Sequence, residues 1–302
     1  MYALELKDLK KTYPNGFKAL KGINLKIEQG DFFALLGANG AGKSTIISLI
    51  SHLIQKTSGK IIINTHDLDN NPFAAKCSLG VVPQEFNLPV FETCETILLN
   101  VAGFYGIRRQ VALERAHWLL DELGLGDKKQ AIVYQLSGGM KRRLMIARSL
   151  MHDPKLLLLD EPSAGVDIEI RHSIWMFLKT MNAAGTSIIL TTHYLEEAEQ
   201  LCKHIAIIHH GEILEQTSIA KLLNTKAKQS FIIHTAKALE ESLQLKSVKI
   251  TVISSHCFEL ELPTDISFNQ IIKELDDLNI EVMSINVKTN RLEALFMEII
   301  QK

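Results

Sequence analysis

Nine consecutive residues, Gly37, Ala38, Asn39, Gly40, Ala41, Gly42, Lys43, Ser44 and Thr45, carry the densest chemistry in this sequence. They follow an apolar run, Phe32 to Leu36, and precede a helical pattern over Thr45 to Ile54, the context in which a glycine-rich loop cradles phosphate. Glycines 37, 40 and 42 permit positive φ and leave backbone N–H groups bare, and a helix N-terminus behind them adds its dipole. Lys43 is placed to reach the β- and γ-phosphates of a nucleotide, and Ser44 to offer a hydroxyl to Mg²⁺. A second apolar run, Leu156 to Leu159, ends in Asp160 and Glu161. Asp160 suits a Mg²⁺ ligand, direct or through water, and Glu161 suits a general base on the attacking water. His193 follows a third buried run, Ile188 to Thr192, where its imidazole can donate to the γ-phosphate. These residues describe ATP hydrolysis.

Leu136 to Met140 holds a second bare helix start. Gly138 and Gly139 open the helix Met140 to Met151, and Ser137 adds a hydroxyl, so this end also suits an anion. One ATP needs one phosphate loop; a second cradle far along the chain predicts two copies meeting head to tail, each completing the other's site. The neighbouring Lys141, Arg142 and Arg143 read as a solvated helix face or a contact for acidic partners.

The elements that must position these groups follow from apolar spacing. Leu4, Leu6 and Leu9, then Ile23, Leu25 and Ile27, predict antiparallel strands on one side. Phe32 to Leu36, Leu156 to Leu159, Ser187 to Thr191 and Ile205 to Ile208 are continuous runs, as parallel strands buried on both faces require. Between them, roughly Cys94 to Leu150, the spacing turns helical, as in Val111, Trp118 and Leu119. Past Thr217 comes a new order: runs at Phe231 to Ile233, Val248 to Ile253 and Phe258 to Leu262, a helix near Phe268 to Leu278, a strand near Val282 to Val287, and a helix Arg291 to Ile300 whose Leu292, Leu295, Phe296 and Ile299 form a core face. The expected division is 1–217 and a small α+β domain over 218–302.

The bulk properties narrow the partners. The 302 residues suffice for a full core, and Lys+Arg 33 against Asp+Glu 34 gives a net charge of -1, without the basic excess that non-specific nucleic-acid binding needs. Four cysteines, Cys77, Cys94, Cys202 and Cys257, show no close pairing, which fits a reducing cytosol. No segment approaches the ~20 apolar residues of a membrane span, and the N-terminus lacks a signal core; service at a membrane would run through a partner.

Over roughly Met1 to Thr217 these motifs resemble the ATP-binding cassette proteins, the motor subunits of ABC transporters. Gly37 to Thr45 resembles Walker A, Leu156 to Asp160 Walker B, Leu136 to Met140 the signature, Ser163 to Asp167 the D-loop and His193 the switch histidine. The resemblance also implies roles for Tyr13, as the aromatic that stacks on adenine, and for Gln84, as the Q-loop glutamine touching nucleotide and Mg²⁺. It implies an α/β P-loop fold of ABC type: a parallel core sheet, an antiparallel β subdomain and a helical subdomain. Pro83 to Glu85, Leu136 to Arg143, Thr191 to Glu199 and Leu292, Glu293 and Phe296 are similar to the ATP-binding subunits of bacterial multidrug and daunorubicin-resistance exporters. That likeness implies a separate integral-membrane permease, ATP-driven efflux, and a cytoplasmic position on the inner face of the membrane. Ala38, Met140, Ser163 and Val166 depart from the family's usual residues without removing a catalytic group. The competing function is a soluble cassette ATPase acting on ribosomes or DNA, and against it stands a single uninterrupted cassette. A module that binds ATP without turnover would lack Glu161 or His193, and both are present.

Overall fold

A computed structural model describes residues 1–226, 229–239, 245, 247–262, 266–287 and 291–300. The chain divides into two compact units, Met1–Ser218 and Ile219–Lys302.

The first unit opens with two long antiparallel strands, β1 (Tyr2–Thr12) and β2 (Lys18–Glu28). Alternation buries Leu4 and Leu6, and Ile23, Leu25 and Ile27, as half-covered strands require. Asp8, with φ at 45°, breaks the alternation, and Leu9 is buried in its turn. The central strand β3 (Phe32–Leu36) is buried at every position, and helix α1 (Lys43–Ile50) follows it across the glycine loop. Helix α1 stops four residues before the expected Ile54. The Ser51 hydroxyl donates back to the Ile47 carbonyl at 2.8 Å, and His52 takes a left-handed φ of 60°.

Next come β4 (Ser58–Ile63), β5 (His66–Asp67), α2 (Pro72–Cys77) and β6 (Leu79–Val82). The helical segment holds α3 (Cys94–Phe104), α4 (Arg109–Glu122) and α5 (Gly138–Leu150), and the chain returns through β7 (Leu156–Asp160), α6 (Ile168–Ala183), β8 (Ser187–Thr191), α7 (Leu195–Leu201), β9 (His204–His209) and β10 (Glu212–Ser218). The antiparallel sheet runs β2-β1-β4-β5 and the central sheet β10-β9-β3-β8-β7-β6.

In the central sheet β3, β6, β7, β8 and β9 are parallel and β10 pairs antiparallel with β9. The four expected strands are present and β6 and β10 join them. Register is what aligns the site: Leu35 lies opposite Thr191, Asp160 opposite Thr191, and Val82 opposite Leu159. The C-terminal ends of β3, β6, β7 and β8 therefore meet along one edge, where ligands of open parallel sheets bind.

The second unit begins with α8 (Ile219–Lys226) and continues through β11 (Gln229–Thr235), β12 (Ile250–Ser254), β13 (Cys257–Leu262), α9 (Phe268–Asp277), β14 (Val282–Val287) and α10 (Arg291–Ile300). Its antiparallel sheet has the order β12-β13-β11-β14. Helix α9 starts in a capping box between Ser267 and Gln270 and buries Ile271 and Leu275 against Ile233, Phe258 and Leu260. On α10, Leu292 and Leu295 are buried and Phe296 and Ile299 half-buried, so the apolar face of that helix is core.

Candidate active site at the strand edge

The loop between β3 and α1 is shaped by two different demands on glycine. Gly40 and Gly42 have left-handed φ of 80° and 117°, which L side chains rarely adopt. Gly37 does not; the expectation of positive φ there is corrected. It must be glycine because a Cβ would lie 2.5 Å from the Ile208 carbonyl oxygen and 2.7 Å from its Cγ2. The loop is closed by Ala41 N–H on the Ala38 carbonyl at 3.1 Å and by Gly211 N–H on the Ala41 carbonyl at 2.9 Å. Gly42 caps α1 without a side-chain acceptor, so the first turn of that helix presents backbone donors.

Lys43 points inward, 7 % exposed. Its Nζ donates to the Gly37 carbonyl at 2.6 Å and the Ala38 carbonyl at 3.2 Å. Burial lowers its pKa, and the nearby charges of Glu161 and Asp160 oppose that fall. Around the ammonium opens a cleft of about 510 Å³ lined by Tyr13, Phe17, Ala19, Asn39, Gly40, Gly42, Lys43, Ser44, Thr45, Gln84, Asp160 and Glu161. Gly37, Ala38 and Ala41 shape the loop and do not line it.

Asp160 closes β7, where it accepts a hydrogen bond from the Thr191 hydroxyl. Burial raises its pKa; the Thr191 bond and the cations of Lys43 and Arg142 pull the other way. Glu161 follows in the left-handed region at φ 49°, a conformation costing a bulky residue about 1–3 kcal/mol. Its N–H is held by the Thr191 carbonyl at 3.0 Å and the Thr191 hydroxyl at 3.3 Å. The bend turns its carboxylate toward two side chains from neighbouring strand ends. Gln84 Nε2 donates to Oε2 at 2.9 Å, and His193 Nδ1 lies 3.2 Å from Oε1. Gln84, Glu161 and His193 thus converge from the ends of β6, β7 and β8.

Ser137, Gly138 and Gly139 do not line this cleft. Ser137 caps α5, its Oγ accepting from Met140 N–H at 3.3 Å. Gly139 packs against α6, where a Cβ would meet Ile170 Cδ1 at 2.8 Å, but a Cβ on Gly138 would meet nothing within 4 Å. Nothing in this chain's own packing requires glycine at 138.

The expectation of a solvated basic face fails at Arg142, which is 2 % exposed. Its Nη1 and Nη2 donate to the Pro83 and Gln84 carbonyls, each at 2.8 Å, and its guanidinium lies 5.0 Å from the Phe86 ring centroid. Arg143 instead donates to the Leu123 carbonyl at 2.9 Å. Two further groups escaped the motif reading. Phe17 joins Tyr13 at the cleft mouth because the turn between them is closed by Tyr13 N–H on the Phe17 carbonyl at 2.9 Å. Glu197 is fully buried and accepts from Trp175 Nε1 at 2.9 Å; burial raises its pKa. A second aromatic four residues after Tyr13 was the available signal for the first; nothing in spacing flagged the second.

The sequence pattern of the family described as "ABC transporter" matches residues 20–164. The linearmycin resistance ATP-binding protein LnrL of Bacillus subtilis (strain 168) is 34 % identical, over 98 % of this chain and 97 % of its own. The daunorubicin/doxorubicin resistance ATP-binding protein DrrA of Streptomyces peucetius is 32 % identical over 98 % of this chain and 91 % of its own. Among solved structures, the ATP-binding cassette MJ0796, dimeric and bound to ADP and Pi in a post-hydrolysis state, superposes with a TM-score of 0.66 at 28 % identity, covering 72 % of this chain and 98 % of that one.

Proposed function

The chain belongs to the ATP-binding cassette family of ABC transporter ATPases, and on that premise we propose that it hydrolyses ATP to drive export through a separate membrane permease. The observation that carries the reading is the convergence of Gln84 and His193 on Glu161, with Gln84 and Glu161 lining the cleft that holds the buried ammonium of Lys43 and His193 reaching it through Glu161. Similarity along nearly the whole chain to two antibiotic-resistance proteins supports export. We assign residues 1–217 to the ATPase and 218–302 to an accessory domain. Among the described residues no helix is long and apolar enough to cross a membrane. The likeness to the resistance ATP-binding proteins supports a place at the cytoplasmic face, held there by a permease.

The residues divide the work. Tyr13 stacks on adenine at the cleft mouth. Lys43 exchanges the Gly37 and Ala38 carbonyls for phosphate oxygens, and the loop N–H groups from Asn39 to Thr45 take the rest of the charge. The Ser44 hydroxyl and the Asp160 carboxylate, with the Gln84 amide, are the hard oxygen donors that Mg²⁺ prefers; bound there it would neutralise charge on the phosphates. Glu161 takes the proton of the attacking water. Gln84 and His193 fix the direction of its carboxylate, and His193 Nε2 is the ring nitrogen left to face phosphate.

Export is tested in cells carrying this chain with its permease: an efflux that stops when Glu161 becomes Gln supports the reading, and efflux unchanged by that substitution overturns it.

Gly138 supports a head-to-tail assembly of two copies. The open space at its Cα, at the start of a helix whose cap leaves donors outward, suits a phosphate held by a second copy. In the Glu161→Gln background, ATP is expected to accumulate a dimer that ADP does not, because the γ-phosphate supplies the charge that the second cradle recognises. Adding Ser137→Arg is expected to abolish that dimer by filling the cradle. Light scattering with ATP against ADP measures both, and a dimer indifferent to Ser137→Arg refutes the sandwich.

A further inference from the structure

Arg142 is a buried cation whose hydrogen-bond partners are two consecutive main-chain carbonyls, those of Pro83 and Gln84. A planar guanidinium can span two such acceptors with parallel donors, and in doing so it fixes the tilt of the peptide between them. Pro83 narrows the freedom further, since its ring locks φ. The half-exposed ring of Phe86 covers the guanidinium. Burial lowers the Arg142 pKa, while the charges of Asp160 and Glu161 oppose that fall.

Gln84 itself is exposed, yet its amide meets Glu161 Oε2 at 2.9 Å. We infer that Arg142 is a positioning residue for hydrolysis: its fork on the Pro83 and Gln84 carbonyls sets the backbone from which the Gln84 amide reaches Glu161. The inference rests on the reading of Glu161 as the base. It also links the two halves of the cassette's machinery, because Arg142 stands on α5, just past the helix start at Ser137 to Gly139. A displacement of that helix start is transmitted by two hydrogen bonds to the residue that holds the base.

A lysine at 142 keeps the charge and much of the reach but cannot present two parallel donors. The test is a double-mutant cycle of Arg142→Lys and Gln84→Ala, read by steady-state hydrolysis, by titration with a fluorescent ATP analogue and by thermal melting. Arg142→Lys is expected to lose about tenfold in kcat with nucleotide affinity within about twofold of the parent, and Gln84→Ala to lose at least as much in kcat. Because Arg142 acts through Gln84, the double variant should be no slower than the slower single by more than about twofold. Losses that multiply to about a hundredfold, or an Arg142→Lys variant with parental kcat, overturn the inference while leaving Glu161 as the base. Should Arg142→Lys melt far below the parent, Phe86→Ala takes its place in the cycle. Uncovering the guanidinium should give a smaller kcat loss that Gln84→Ala likewise absorbs, and an additive loss overturns the proposal. Failure of the underlying reading shows separately, as undiminished hydrolysis by Glu161→Gln.

Discussion

Glu161→Gln is expected to bind ATP as tightly as the parent while hydrolysing it about a hundredfold or more slowly, a barrier increase of about 3 kcal/mol. The two halves of that result come from different parts of the cleft. Affinity is vested in Lys43, the donors of the loop and the start of α1; Lys43 hydrogen-bonds the Gly37 and Ala38 carbonyls, and the Glu161 charge acts on it only through space. Turnover needs a proton acceptor, and the amide is isosteric but not basic. Gln84 Nε2, 2.9 Å from Oε2 in the parent, can still donate to the amide oxygen, and glutamine adopts the left-handed backbone no less readily than glutamate, so the surroundings are preserved. Phosphate release at steady state, beside a binding titration, measures both quantities. Hydrolysis at the parental rate would move the base to another residue.

Lys43→Ala is expected to abolish ATP binding, with a loss of about a hundredfold or more in affinity. Between Gly37 and Thr45, Lys43 is the one cationic side chain, and each charge-assisted hydrogen bond to phosphate contributes roughly 1.5–3 kcal/mol. Its loss also strips the Gly37 and Ala38 carbonyls of their donor, leaving acceptors beside a cluster of negative phosphates. Nucleotide titration of the purified variant decides it; parental affinity would show that this loop is not the nucleotide site.

Most of the catalytic edge was legible because strands covered on both faces leave continuous apolar runs, and the residues ending those runs then fall together. Strand β6 escaped for the opposite reason: it is four residues long and includes Gly80, where a Cβ would lie 2.5 Å from the Ser149 carbonyl oxygen. Strand β10 lies at the sheet's edge, and its alternating, half-exposed residues form no continuous apolar run. Arg142 was misread through its neighbours. Three adjacent bases suggest solvent, yet Arg142 shares a helix side with the buried Met145, Ile146 and Ser149, a spacing of three, four and seven that marks the inward face. The meeting of Gln84 with Glu161 was not legible in any local window, since it depends on the register of β6 against β7.

The position of β3 at the heart of the sheet has a consequence for synthesis. Its two sheet partners, β8 and β9, end at Thr191 and His209, so Phe32 to Leu36 leaves the ribosome long before either exists. At about 5–20 residues per second, a wholly apolar strand waits on the order of ten seconds or more with both edges unpaired. The nascent first half of the protein is therefore a natural client for chaperones, and the nucleotide cleft is among the last features of its unit to appear.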